Sequence, residues 1–250
     1  MTATLHKPQT ADLETELRRD FAAVFRVCAR NNWNENLGNH LSVSLPGRED
    51  QYLINRRGMH FRQATASNLI VCDIEGKTIR GNGEIRPVAF HVHARIHKRH
   101  PGARAVLHVH SPYAVALTCI DGFRFDRIHN NNLVINNRIV WDDVQNGPVD
   151  GVEEGDRLAE LMGDRTILMM AGHGPIVVGP TLENAFYELC LLERTCMYTM
   201  LAMQSGRKLR EYGAEGLRDH RLPIDRFVDA KAHLNAWRRM LDDEEPAYCT

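Results

Sequence analysis

The chain has 250 residues, of which 43% are hydrophobic and 25% are charged, a composition typical of a folded domain and unlike that of disordered or collagenous chains. Thirty-one Lys and Arg residues against 32 Asp and Glu residues give a net charge of −1, which argues against binding nucleic acid or an anionic membrane through bulk positive charge. Since the sequence has neither an apolar leader nor an apolar run of about 18 residues, we expect a cytoplasmic protein that does not span a membrane.

Helical and strand patterns follow each other along the first eighty residues. Apolar residues recur at helical spacing from about Asp12 to Asn31 and predict an amphipathic helix. Residues 41–45 alternate apolar and polar side chains, which predicts a strand. Further strands are predicted at 51–54, 68–73 and 77–80. Because short turns join these strands, we expect antiparallel pairing.

The rest of the chain continues with both patterns. Helices are predicted at 87–100, 112–119, 155–162, 181–203 and 224–241. Strands are predicted at 103–110, 133–140, 166–170 and 175–178. Since no repeat or linker divides the sequence, we expect one domain in which helices flank a largely antiparallel sheet. Residues 1–210 would form its main body, and residues 211–250 a helical C-terminal extension of the same domain.

The histidine content is unusual, because six of the 13 histidines lie between positions 91 and 110. Two of them, His108 and His110, fall at the end of the predicted strand 103–110. Residues two apart on a strand project from the same face, so these imidazoles are expected to point together, as two ligands of one metal ion must. The pair alone is equally compatible with two histidines on a solvated strand face.

A third histidine, His173, follows the predicted strand 166–170 and stands between two glycines. Because its neighbours have no side chains, the His173 ring is free to reach a site formed by other parts of the fold. Considered alone, His173 would be a turn histidine. Together with His108 and His110 it gives three imidazoles and an open position, the arrangement of a catalytic divalent metal site.

The helix predicted at 87–100 carries four more histidines. His93 and His97 are four residues apart and share a helix face. If that face meets the metal strand, His93 is the candidate to donate a hydrogen bond to a ligand or to complete the site. His97 and His100 are expected to be polar helix surface.

Several strings in the sequence resemble the class II aldolase/adducin family. They are FHVHARIHKRHPGARAVLHVHSPYAVAL, MMAGHGPIVVG, LGNHLSVSL, RRGMHF and ASNLIVCDIEGKTIRGNG. The resemblance extends over roughly residues 13–203. It implies a three-layer α/β/α fold with a mostly antiparallel central sheet, and a divalent metal bound by His108, His110 and His173. It also implies a homotetramer with active sites near subunit boundaries.

The sequence departs from the sugar-phosphate aldolases of that family at one motif. Those enzymes carry Ser-Ser-Glu before the helix, and the matching slot here, around Pro87–Ala89, has neither hydroxyls nor a carboxylate. Glu84 could replace the glutamate only if the loop bulges. Asn39 matches the family's Gly-Asn phosphate loop, while Arg56 and Arg57 in the next loop suit a planar carboxylate at least as well as a phosphate.

These features predict a metal-dependent carbon–carbon lyase with one divalent ion, zinc, manganese or iron, in each subunit. The metal would stabilise charge on a substrate oxygen. Loss of CO₂ requires no base to form the carbanion, whereas aldol cleavage must move a proton on the leaving aldehyde. With the glutamate missing, decarboxylation of a hydroxylated acid, aromatic acids included, is the favoured prediction.

In this hypothesis Arg57, assisted by Arg56, binds the carboxylate of a small-molecule substrate, and His93 or Glu84 supplies the proton. Tyr113, just past the histidine pair, would lie near the substrate; packing against its helix neighbours is an equal alternative. Three other functions stay open: a class II aldolase cleaving a hydroxy-carbonyl compound, a non-haem iron oxygenase, and a non-catalytic adducin-like module.

Overall fold

The computed structural model of the chain describes residues 10–100, 102–144, 151–213 and 228–250. Its strands are β1 (His40–Leu45), β2 (Arg48–Ile54), β3 (Ile70–Asp73), β4 (Thr78–Arg80), β5 (Ala105–His108), β6 (Ile139–Asp142), β7 (Ile167–Met170) and β8 (Gly174–Gly179). Its helices are α1 (Thr10–Arg30), α2 (Pro87–Arg99), α3 (Pro112–Thr118), α4 (Asn130–Ile135), α5 (Val152–Met162), α6 (Leu182–Gln204) and α7 (Ala230–Glu244). Among these helices, none is both long and apolar enough to cross a bilayer.

The strands form one sheet in the order β4-β3-β2-β1-β5-β8-β7-β6. Strands β6 and β7 run parallel, and the other neighbouring pairs are antiparallel. The predicted mostly antiparallel sheet is therefore confirmed. Strand β5 ends at His108, so His110, the last residue of the predicted strand 103–110, lies beyond the observed strand.

Helices cover both faces of this sheet, which confirms the three-layer α/β/α fold. One face packs against α1, α3, α6 and α7, and Leu107 of β5 belongs to that core. The opposite face packs against α2 and α5, and Val106, the preceding residue, belongs to that second core. Successive side chains of a strand point to opposite faces, so the side chains on both faces of the sheet are buried under helices.

Strand β1 positions polar residues by the same alternation. Leu41, Val43 and Leu45 belong to the core beneath α1 and α6. His40 and Ser42 consequently point to the face that α2 covers. Antiparallel pairing of β1 with β5 sets His40 directly opposite His108. Two histidines 68 positions apart in the sequence thus become neighbours at one edge of the sheet.

The predicted strand 133–140 is wrong. Residues Asn130–Ile135 form α4, a 3₁₀ turn follows at Asn136–Arg138, and the strand β6 begins only at Ile139. Asn132 and Ile135, which are three residues apart, are buried, and α4 packs against α6. This helical contact outweighs the strand propensity of the Leu-Val-Ile run. The start of the helix predicted at 224–241 lies outside the described residues.

The C-terminal segment packs on its own chain. Helix α7 contacts α1 and α6, and Leu234 and Leu241 join the main core. Beyond α7, the carbonyl oxygen of Tyr248 accepts a hydrogen bond from the backbone N–H of Ala66 at 2.9 Å. Arg30 of α1 forms an ion pair with Glu245 at 2.8 Å. These contacts anchor residues 228–250 to the body of the domain.

Candidate metal centre

Three histidines from two segments of the chain converge at the end of β5. His108 is its last residue, His110 follows in the loop, and His173 stands in the turn between β7 and β8. Their ring centroids are 4.8–5.0 Å apart, and one potential ligand nitrogen of each lies within 4.8 Å of the other two. The grouping predicted for His108, His110 and His173 is therefore present in the fold.

Glycine at position 174 permits this approach. Gly174 has a φ of +139°, and a Cβ built there would lie 2.9 Å from the carbonyl oxygen of Val109. A side chain would separate the two segments that carry His173 and His110. The loop that follows α1 closes the other side, because the backbone N–H of His110 donates to the Trp33 carbonyl at 2.9 Å.

The second nitrogens of two of these rings are hydrogen bonded. Nδ1 of His108 donates to the Pro175 carbonyl at 3.0 Å, and Nδ1 of His110 lies 2.6 Å from a Glu35 carboxylate oxygen. This leaves the Nε2 lone pairs for the centre. Nε2 of His110 is buried and has no hydrogen-bond partner among the described residues. A carboxylate or carbonyl behind a histidine is the usual support of a metal ligand, so these residues fit a divalent cation.

Electrostatics at the centre favour neutral imidazoles. Burial, reinforced by the nearby His40 and His173, holds the pKa of His108 well below its usual 6.5. Burial and the proximity of His110 also lower the pKa of His173. A metal ion binds the neutral form of histidine, so these shifts leave the ligand nitrogens available at neutral pH.

The helix histidines lie behind the centre. Nε2 of His93 is 2.8 Å from Nδ1 of His40, and the His40 ring lies 4.9 Å from that of His108. His93 therefore supports the site through His40 and bonds none of the three converging histidines directly. His40 was missed in the sequence because only the pairing of β1 with β5 brings it to the site.

The prediction that His97 and His100 are helix surface is wrong. Nδ1 of His97 lies 2.6 Å from the Ala103 carbonyl, and its ring packs on Tyr52 with centroids 4.4 Å apart. His100 is 7% exposed and lies 3.0 Å from the Arg165 carbonyl through Nε2. Both side chains lie on the side of α2 that packs against the sheet and the adjoining turn, and both find backbone carbonyl partners there.

Asn39 is buried next to His40. Its Oδ1 accepts a hydrogen bond from the Glu35 backbone N–H at 2.5 Å, and its carbonyl oxygen accepts one from Asn55 at 3.2 Å. Its Nδ2 is buried without a partner in the described part of the chain. The residue thus shapes the loop that carries Glu35 and keeps an unused donor, which suits the predicted substrate-binding role.

The predicted arginines lie in the loop after β2. Arg56 and Arg57 are exposed, and the backbone N–H of Arg57 donates to the Glu84 carbonyl at 2.7 Å. The segment around Glu84 therefore does lie against this loop. The Glu84 side chain, however, is exposed and makes no hydrogen bond to any described residue, so its carboxylate does not reach the three histidines.

A third arginine, which the sequence did not identify as a site residue, lies closer to the centre than Arg56 and Arg57 do. Arg86 precedes α2, and its guanidinium donates to the Gly38 carbonyl at 3.2 Å. The pKa of the buried His40 is held well below 6.5 first by desolvation, then by His93 and by the charge of Arg86. Arg86 thus brings a positive charge next to the Gly38–Asn39 loop.

Tyr113 borders a cavity next to α6. Its side chain lines a cavity of about 500 Å³ together with Trp33, Tyr187 and Trp237, and this lining includes none of the three histidines. The backbone N–H groups of Tyr113 and its neighbour donate to the buried Glu193 carboxylate at 3.0 and 2.9 Å. The predicted contact of Tyr113 with substrate stays a prediction.

Comparisons with known proteins find related sequences and similar folds. The profile of the Class II Aldolase and Adducin N-terminal domain matches residues 19–200. A Caulobacter vibrioides relative, named after the class 2 aldolases, is 30% identical over 247 residues, covering 97% of this chain and 95% of that protein. An aldolase II superfamily protein from Pseudomonas syringae has a TM-score of 0.88 at 25% identity, with 98% of each chain covered. L-fuculose 1-phosphate aldolase from Glaciozyma antarctica PI12 has a TM-score of 0.82 at 20% identity, over 98% of this chain and 96% of that one, which shows a shared fold.

Proposed function

This chain belongs to the class II aldolase and adducin family, and on that premise we propose that it is a divalent-metal-dependent carbon–carbon lyase. The observation that carries the proposal is the convergence of His108, His110 and His173, whose ligand nitrogens lie within 4.8 Å of one another. A purely structural module has no use for three converging imidazoles. Neutral rings of His108 and His173, and the hydrogen-bonded Nδ1 atoms of His108 and His110, suit one zinc, manganese or iron ion per subunit.

Bound there, the cation would act as a Lewis acid that stabilises negative charge on a substrate oxygen. The protein's own residues do the orienting. The Pro175 carbonyl and the Glu35 carboxylate fix two of the ligand rings. The unpartnered Nδ2 of Asn39 can donate a hydrogen bond to a substrate oxygen, and the guanidinium of Arg86 can pair with a carboxylate.

We favour decarboxylation of a hydroxylated carboxylic acid, aromatic acids included. The slot of the family's glutamate, residues 87–89, has no acidic side chain, and Glu84 is exposed away from the histidines. Loss of CO₂ breaks the bond to the carboxylate, leaves its electron pair on the substrate carbon, and needs only a proton at that carbon afterwards. Arg86, with Arg56 and Arg57 in the adjoining loop, supplies the positive charge that holds such a substrate.

Aldol cleavage is the second candidate. The Gly38–Asn39 loop, with its unused amide donor, favours it because the same loop can hold an anionic group of a hydroxy-carbonyl substrate. The two reactions leave different products: CO₂ in one and an aldehyde in the other. A homotetramer, the assembly that the family resemblance implies, belongs to the same proposal and is checked by light scattering of the purified chain.

The test begins with elemental analysis of protein purified without added metal, followed by parallel screens for CO₂ and aldehyde release from hydroxylated acids and hydroxy-carbonyl compounds. His108→Ala is expected to lose both the metal and the activity. His91→Ala is the matched control, since His91 is also a histidine near this region but lies outside the centre. Protein that binds no divalent metal would support an adducin-like module, and a reaction that consumes O₂ would support an oxygenase.

A further inference from the structure

A continuous line of hydrogen bonds starts at His40, whose ring lies beside that of His108, and runs into the protein. Nδ1 of His40 is 2.8 Å from Nε2 of His93, and Nδ1 of His93 is 2.6 Å from Oγ of Ser42. The same Oγ is 2.7 Å from Nε2 of His97, whose Nδ1 is 2.6 Å from the carbonyl oxygen of Ala103. Three imidazoles and one hydroxyl are therefore linked end to end between β1 and α2.

The carbonyl at the inner end sets the direction of every bond in this line. A carbonyl only accepts, so Nδ1 of His97 carries the proton and its Nε2 is a lone pair. Ser42 must then donate its single proton to His97, and it can only accept from Nδ1 of His93. By the same reasoning Nε2 of His93 accepts from Nδ1–H of His40. The outermost nitrogen, Nε2 of His40, is left without a proton.

We propose that Ser42 and His97 are positioning residues that hold His40 as its Nδ1–H tautomer, so that His40 presents an unprotonated Nε2 at the metal centre. There it accepts a hydrogen bond from a hydroxyl group of the substrate. This last step rests on the proposed function, whereas the tautomers do not. Substrates that the site accepts would then carry a hydroxyl close to the group held by His108, His110 and His173.

The surroundings of the line support a single proton arrangement. Ser42 is 1% exposed and His93 is 2% exposed, so solvent does not compete for these bonds. Burial lowers the pKa of His97 to about 4, and this ring is therefore neutral at pH 7. No hydrogen bond from a described residue reaches Nε2 of His40, and its ring lies 4.9 Å from that of His108.

The fold supplies an internal reference with the opposite tautomer. Nδ1 of His100 accepts a hydrogen bond from the Gly102 backbone N–H at 3.0 Å, so its Nε2 carries the proton donated to the Arg165 carbonyl. His100 lies on the same segment as His93 and His97, and its tautomer differs from theirs because its hydrogen-bond partners differ.

The experiment is long-range ¹⁵N–¹H correlation NMR of the histidine rings in the full-length, metal-free chain at pH 7. The wild type is expected to show Nδ1–H in His40, His93 and His97 and Nε2–H in His100, with signals assigned by the loss of each in its His→Asn variant. An Nε2–H tautomer in any of the first three would overturn the proposal. Because no metal is present, this result is independent of whether the protein is a lyase.

Variants of Ser42 test its part in the line. Ser42→Ala removes the acceptor of His93, so His93 and then His40 are expected to shift to Nε2–H. Ser42→Thr keeps the hydroxyl and should keep the wild-type pattern. Ser44→Ala, two residues further on the same strand face, is the control, because the Ser44 side chain makes no hydrogen bond to any described residue. A His40 tautomer that is unchanged in Ser42→Ala would contradict the proposal.

Measurements of zinc binding and of turnover by Ser42→Ala distinguish a positioning role of Ser42 from general damage to the structure. Ser42→Ala should bind zinc with wild-type stoichiometry, since the three ligands are untouched. On the substrate found by the product screens, it should lower kcat by about tenfold, the effect of one lost hydrogen bond, with KM little changed. Zinc retained together with an unchanged kcat would show that His40 does not contact the substrate.

Discussion

The hydrogen bond between Glu35 and His110 gives the most direct test of the metal centre. The carboxylate lies 2.6 Å from Nδ1 of His110 and is the only partner of that nitrogen among the described residues. Replacing such a supporting group usually weakens metal binding by about 10- to 100-fold. The Glu35 side chain is 64% exposed, and solvent screening reduces the effect of its charge.

We therefore expect Glu35→Gln to weaken zinc binding by about tenfold, or about 1.4 kcal/mol. Glutamine can still accept the hydrogen bond, so this variant removes the charge and keeps the orientation of the ring. Glu35→Ala removes both and should approach about 100-fold. The backbone of the loop should not move, because Asn39 bonds the Glu35 N–H through its own side chain.

The assay is a competition titration of zinc against a chromophoric chelator at pH 7. Glu160→Gln, which neutralises an exposed acid on α5, is the control for the change in net charge. If Glu35→Ala binds zinc no more weakly than this control, His110 is not a ligand held by Glu35, and the assignment of the centre is wrong.

Two further predictions concern stability. Burial depresses the pKa of His97 from 6.5 to about 4, so the unfolded chain takes up a proton at a higher pH than the folded protein does. The neutral ring's contribution to the free energy of unfolding is therefore complete above pH 6.5 and is lost as the pH falls towards 4, a loss of about 3 kcal/mol in all. Urea unfolding across this range should show the loss, and His97→Gln should show a shallower dependence; an equal slope would refute the shift. Gly155→Ala should destabilise the fold by about 1–3 kcal/mol, because a Cβ there would lie 2.7 Å from the His91 carbonyl of α2. Gly213→Ala, whose added Cβ would meet no atom of the described residues within 4 Å, is its control in the same urea assay. Equal stabilities of the two variants would contradict the close packing of α2 on α5.

Much of the scaffold could be predicted because it depends on local patterns. The apolar spacing of residues 12–31 and the alternation of residues 41–45 each identify their element without reference to the rest of the chain. The three candidate ligands were recognisable for a similar reason, since His108 and His110 are two residues apart and His173 stands between glycines. The predicted strand 133–140 failed because its Leu-Val-Ile run is compatible with either structure, and contact of α4 with α6 decides between them.

The remaining parts of the centre depend on pairing between distant segments. Glu35 meets His110 only because a loop after α1 folds over the end of β5, and His40 meets His108 only through the register of β1 and β5. Arg86 similarly reaches the Gly38 carbonyl across 48 residues of sequence. No local sequence pattern distinguishes these residues, because an exposed loop outside any site could have the same sequence composition.

The helix histidines show why polarity alone misled the sequence reasoning. On a sheet with one solvated face, alternation of apolar and polar residues would send His40 and Ser42 to water. In a three-layer fold the second face is covered too, here by α2, and a polar residue that points there must find a hydrogen-bond partner. His93 and His97 of α2 meet that requirement for Ser42 and His40. Polar residues at alternate positions of a central strand, followed by histidines four apart on the covering helix, are therefore better explained as one buried network than as two solvated surfaces.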